Sequence, residues 1–139
     1  MHNPIITKVF HFCAAHQYGH KDWEADKNRK VFGLDAQVHG HNYELEVMVT
    51  GEVDKDTGFV IDLEKLKRIV DEHVINVLDH SQIEKDILWF RDRQPSSENL
   101  VIYIWTQLEE HLLPVRLVRV RLRETPTIFT DYYGTNNGI

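Results

Sequence analysis

Val38-His39-Gly40-His41-Asn42-Tyr43-Glu44-Leu45-Glu46-Val47-Met48-Val49-Thr50 decides how this chain is read. Tyr43, Leu45, Val47 and Val49 alternate with Asn42, Glu44, Glu46 and Met48, the pattern of a long strand exposed on one side. The same period of two puts His39 and His41 on one face, with Gly40 turned away between them. Two such imidazoles can close on one metal ion. A third histidine from a neighbouring strand would complete a three-ligand zinc site with an open position, the catalytic rather than the structural arrangement. His16 is the candidate, because Cys13-Ala14-Ala15-His16 ends an extended segment beside small residues.

Outward from this stretch, Ile5 to Ala15 is rich in β-branched and aromatic residues and is predicted as a strand. Gly19 to Lys30 is polar and charged, a loop without a period. Gly51 to Gly58 carries turn residues, and Phe59-Val60-Ile61 resumes extended structure. Asp62 is placed to cap a helix whose apolar face is Leu63, Leu66, Ile69, Val70, Val74, Val77 and Leu78. Pro95-Ser96-Ser97-Glu98-Asn99 starts a second helix with a serine cap, and Pro114 ends it. Val115 to Arg123 alternates Val and Leu with arginines, and Ile128 to Tyr133 is a final strand. Residues Thr135 to Ile139 are expected to fray. Strands grouped apart from helices indicate an α+β domain spanning residues 1–139, with helices on one face of an antiparallel sheet.

At 139 residues, 42% hydrophobic and 27% charged, the chain has the composition of one soluble globular domain. No apolar run approaches the roughly 20 residues that span a bilayer, so no membrane role is expected. Met1-His2-Asn3-Pro4 lacks the features of a signal peptide. Cys13 is the only cysteine, which excludes an internal disulfide and fits a reducing cytoplasm. The formal charge of −6 argues against a nucleic-acid partner. A small phosphorylated ligand needs only local positive charge, and Lys21, Lys27, Arg29 and Lys30 offer one candidate cluster, a solvated loop being the alternative.

Three further features carry chemistry. Asp79-His80, at the end of the first helix, could form an oriented acid–base pair, or His80 could simply favour the helix dipole. Glu124, before Thr125, is a carboxylate at a strand end. It could accept two parallel hydrogen bonds from the amidine-like edge of a pterin or guanine ring, or pair with an arginine. Glu98 is most simply a dipole-favoured residue in the first turn of a helix. His2, His11, His20, His73 and His111 lack metal-ligand spacing and are expected at the surface or in packing.

Taken together these motifs resemble the 6-pyruvoyl-tetrahydropterin synthase family, which includes the 6-carboxy-tetrahydropterin synthases. The resemblance runs through Phe12-Cys13-Ala14-Ala15-His16, Phe32-Gly33, His39-Gly40-His41-Asn42-Tyr43, Gly58 to Leu63, Leu78-Asp79-His80, Pro95 to Asn99 and Glu124-Thr125. It implies the tunnelling fold, a four-stranded antiparallel sheet with two helices on one face. It also implies a homo-hexamer of two stacked trimers with active sites between subunits. By the same resemblance His16, His39 and His41 are zinc ligands, Glu124 anchors the pterin with Ser96, Ser97 and Glu98 nearby, and Asp79 and His80 belong to a proton-transfer triad.

The third member of that triad in the family is a cysteine upstream of the His-x-His motif. Here Asp35 stands in its place, and Cys13, three residues from His16, is expected on the opposite face. A free carboxylate has a pKa of about 3.9 against about 8.5 for a thiol, so it is the weaker base for a carbon-bound proton. Taking a proton from an acidified hydroxyl is easier and leads to carbon–carbon cleavage. Family members with a glutamate there are associated with such cleavage, giving 6-hydroxymethyl-dihydropterin for folate synthesis. The reading from sequence is therefore a Zn²⁺-dependent lyase acting on 7,8-dihydroneopterin triphosphate. Its alternatives are a 6-pyruvoyl synthase of tetrahydrobiopterin synthesis, a 6-carboxy-tetrahydropterin synthase of queuosine synthesis, or a non-catalytic paralogue that binds zinc and a pterin.

Overall fold

A computed structural model describes residues 2–135. The two long strands are β1 (Ile5–His16) and β2 (His39–Thr50), paired antiparallel from Ile5 opposite Thr50 to His16 opposite His39. β4 (Arg116–Thr125) lies on the other side of β2, and β5 (Ile128–Tyr132) pairs with β4 at the edge. Phe10, Phe12 and Ala14, then Tyr43, Leu45, Val47 and Val49, then Val120 and Leu122 are buried on one face. The opposite face carries Glu44, Glu46, Arg119, Arg121 and Arg123, tied by ion pairs that include Arg123–Glu44 and Arg119–Glu46. The period-two pattern thus separates core from surface as expected.

Two helical segments cover the apolar face. α2 (Leu63–Val70) starts at Asp62, whose carboxylate accepts from the Glu64 amide at 3.0 Å. It runs through a π turn (Asp71–Ile75) into α3 (Asn76–Leu78). The buried stripe Leu66, Val70, Val74, Leu78 explains the widened turn. A spacing of four drifts by about 40° per step on a 3.6-residue helix. One i→i+5 turn takes up that drift and returns Val74 and Leu78 to the core. α5 (Ser97–Leu108) is capped by Ser96, whose hydroxyl accepts from the Asn99 amide at 3.2 Å. No helix among the described residues is long and apolar enough to cross a membrane.

The structure departs from the sequence reading in three places. The sheet has five strands in the order β3-β1-β2-β4-β5, because a two-residue strand, β3 (Ser81–Gln82), pairs parallel with β1. It forms where the chain leaving α3 docks on β1, the His80 amide donating to the Cys13 carbonyl at 2.6 Å. The short α4 (Ile83–Asp86) follows it. Within the expected loop, Ala25–Phe32 forms a helix, α1, with no buried residue. It lacks an apolar period because its support is local: Trp23 stacks near Phe32, with Lys27 4.1 Å over the Trp23 ring. Phe59-Val60-Ile61 pairs with no strand, and the Asp54 amide donates to the Phe59 carbonyl to close a turn. Of the tail expected to fray, residues 136–139 lie outside the described residues.

Candidate metal centre

The centre is the polar end of the buried sheet face. His16 follows Phe10, Phe12 and Ala14 in the inward register of β1, and His39 and His41 precede Tyr43 and Leu45 in that of β2. One ligand atom from each of the three rings lies within 4.8 Å of the others. Among the described residues they are the one such group of three or more metal-binding side chains. Gly40 sits between the two β2 histidines because the strands approach closely there. A Cβ at that position would meet the Ala14 carbonyl oxygen at 3.3 Å.

Hydrogen bonds set the tautomers. His16 Nδ1 donates to the Pro95 carbonyl at 2.8 Å, and His39 Nδ1 donates to the Gln37 carbonyl at 2.8 Å. A neutral imidazole has one N–H, so both Nε2 atoms are then bare lone pairs. They face each other at 2.9 Å. That arrangement is repulsive without a cation beside it. A shared proton is disfavoured, because burial, then the neighbouring His39 and His41, push the His16 pKa down. The donor set therefore fits a divalent transition ion, for which the carbonyls of Pro95 and Gln37 would be the outer partners orienting the rings.

Two carboxylates flank the trio. Glu124, at the end of β4, brings Oε1 within 3.5 Å of His41 Nε2 and 3.8 Å of His16 Nε2. Asp35, in the tight turn after α1, lies 3.7 Å from His39 Nε2. Burial pushes the Tyr18 hydroxyl well above the usual tyrosine range, and Glu124, Asp35 and Glu98 around it push the same way. Tyr43 behaves likewise through burial and Glu124. Both phenols stay protonated beside the carboxylates. The sequence reading gives neither tyrosine a role at the site, although Tyr43 closes the His39-Gly40-His41-Asn42-Tyr43 motif.

The remaining expected residues divide. Ser96 is spent on the helix cap, Glu98 is exposed, and Ser97 is buried with no partner for its hydroxyl. Asp79 and His80 lie at the edge of β1 where β3 pairs, next to Cys13. Asp79 accepts from the Cys13 amide at 2.8 Å and holds His80 Nδ1 at 2.9 Å. The Cys13 amide, and then His80, keep the Asp79 carboxyl below its usual range. His80 is 82% exposed and has φ +64°, a left-handed backbone that few non-glycine residues adopt. It shares a shallow hollow of about 340 Å³ with His41 and Cys13. As expected, Cys13 points away from the histidine trio, donating its thiol to Asn42 Oδ1 at 2.8 Å. Of the basic cluster, Lys27 is spent on Trp23, Arg29 on Asp26 and Lys21 on Asp92.

A mostly antiparallel sheet ending in convergent histidines, with a carboxylate across them, defines an α+β protein with a candidate metal-assisted site. The sequence profile described as 6-pyruvoyl tetrahydropterin synthase matches residues 5–135, and the chain belongs to that family, whose enzymes act on pterin side chains. It is 35% identical over 132 residues to the 6-pyruvoyl tetrahydrobiopterin synthase of Homo sapiens, covering 93% of this chain and 90% of that one. It is 34% identical over 114 residues to the dihydroneopterin monophosphate aldolase of Pyrococcus furiosus, covering 81% and 82%. The structure of Caenorhabditis elegans 6-pyruvoyl tetrahydropterin synthase superposes with a TM-score of 0.86 at 34% identity, covering 97% of this chain and 99% of that chain.

Proposed function

We propose that this protein is a zinc-dependent lyase that cleaves the side chain of 7,8-dihydroneopterin triphosphate to 6-hydroxymethyl-dihydropterin. The observation that carries this reading is Asp35, a carboxylate 3.7 Å from His39 Nε2, at the position where the resemblance implies a cysteine. The Pyrococcus relative, named as an aldolase, supports carbon–carbon cleavage within the family.

His16, His39 and His41 would hold the ion. When bound, zinc lowers the pKa of the side-chain hydroxyls and fixes their position. Glu124 accepts the amidine edge of the pterin through its two oxygens, with Ser96, Ser97 and Glu98 beside the ring. Asp35 takes the proton from the hydroxyl on the second side-chain carbon. The bond between the first and second carbons then breaks, leaving an aldehyde on the departing fragment. Its electron pair enters the C6–N5 imine of the ring. His80, oriented by Asp79, returns a proton to the first carbon, which completes the hydroxymethyl product.

In this reading the enzyme acts in the cytoplasm as a homo-hexamer, with active sites between subunits. The open edges support assembly: β5 exposes Ile128 and Phe129, and an uncovered sheet edge is a ready template for another chain. The second reading is a synthase giving a 6-pyruvoyl or 6-carboxy product with His80 as the main base, favoured by the name of the human relative. Incubating zinc-loaded protein with 7,8-dihydroneopterin triphosphate and identifying products by mass decides between them. A hydroxymethyl product supports cleavage, and a pyruvoyl or carboxy product supports the synthase. Pterin binding without turnover would leave the non-catalytic paralogue.

A further inference from the structure

Glu124 reaches two of the three clustered histidines. Ligand atoms about 2.0–2.2 Å from a tetrahedral ion lie roughly 3.3–3.6 Å from one another. The separations of Glu124 Oε1 from His41 Nε2 and His16 Nε2, 3.5 and 3.8 Å, are close to edges of such a tetrahedron. The His16 Nε2 lone pair and the Glu124 carboxylate repel each other unless a cation lies beside them. Among the described residues, the ion-pair contacts of Glu124 are these two rings alone, while neighbouring Arg123 turns to Glu44.

The other carboxylate is less suited. Asp35 is 62% exposed and its ion-pair contact is with one ring, whereas Glu124 is 17% exposed and meets two. A half-free side chain loses more freedom on ligation than one already packed at a strand end.

Resting on the reading of a metal-dependent pterin enzyme, we propose that Glu124 is the fourth ligand of the substrate-free centre and leaves the metal when it takes the pterin edge. One carboxylate cannot serve both partners with the same oxygens. Ring binding therefore opens the coordination position that the substrate side chain needs, and the centre stays closed to other hydroxylated molecules until a ring arrives. Asp35 remains free for proton transfer.

The test uses the full chain loaded with cobalt(II), whose visible absorption reports coordination number and ligand type. Addition of 6-methylpterin, whose side chain has no oxygen for the metal, is expected to change the wild-type spectrum. Glu124→Gln is expected to show a changed spectrum before any pterin is added, to respond no further, and to bind cobalt at least about 10-fold more weakly. An unchanged wild-type spectrum at saturating 6-methylpterin would overturn the proposal without use of a variant. So would a Glu124→Gln protein with wild-type spectrum and affinity, leaving Glu124 a pterin anchor and the proposed function intact. Failure of the wild-type protein to bind cobalt at all would remove the metal-dependent reading itself.

Discussion

His16 Nε2 and His39 Nε2 face each other at 2.9 Å while the Nδ1 atom of each donates to a backbone carbonyl. The fold concentrates lone pairs at the end of its core, which a bound cation would neutralise. Ion binding should therefore stabilise the fold as well as enable chemistry. At a free zinc concentration 100 times the dissociation constant, the gain is about 2.7 kcal/mol, which at this chain length raises Tm by several degrees. Calorimetry with and without a chelator measures it, and His39→Ala should abolish the difference.

Asp35 tests the chemistry separately from the metal. Asp35→Ala should keep bound zinc and lower turnover by roughly 10²–10⁴-fold, the usual contribution of a positioned base. Asp35→Cys should divert product towards the pyruvoyl or carboxy form. Metal analysis alongside product mass checks both, and unchanged turnover in Asp35→Ala would remove its assigned role.

His80 separates backbone from side chain. Its positive φ suits glycine, so His80→Gly should fold normally and lose turnover by about 10²–10⁴-fold. His80→Ala should lose the same activity but stay ~1–2 kcal/mol less stable than His80→Gly, because it keeps the Cβ that His80 already carries in that conformation. Denaturant melts of the two variants measure the difference.

Arg121 grips Asp131 through two bonds, Nε to Oδ1 at 2.7 Å and Nη2 to Oδ2 at 3.0 Å, across the β4–β5 pair. That side-chain hydrogen bonding holds the Asp131 carboxyl below its usual range. A depressed carboxyl contributes its full stability above its unfolded pKa of about 3.9 and loses it as pH falls through the folded value. Asp131→Asn should therefore cost about 1–2 kcal/mol at pH 7. The gap to wild type should close in melts below about pH 4.

Much of this was legible from spacing. Period two on Val38–Thr50 foretold both the buried face and the pairing of His39 with His41, and Asp62 and Ser96 cap their helices as their side chains suggest. α1 escaped notice because a helix held by Trp23 and Lys27 has no apolar stripe to display. β3 escaped because two residues joined to β1 through backbone atoms carry no side-chain signature. The outer partners of the histidines are also backbone groups, the carbonyls of Pro95 and Gln37. No reading of residue types finds those.

His16 stands opposite His39 as the last pair of a twelve-residue ladder. A slip of one residue between β1 and β2 would turn one ring of that pair to the outer surface while leaving most backbone hydrogen bonds replaceable. Only the true alignment brings three imidazoles together, so an ion bound there would reward it and no other. A metal ion held there would thus also proofread strand alignment, and a chain misaligned by one residue would betray itself by failing to bind it.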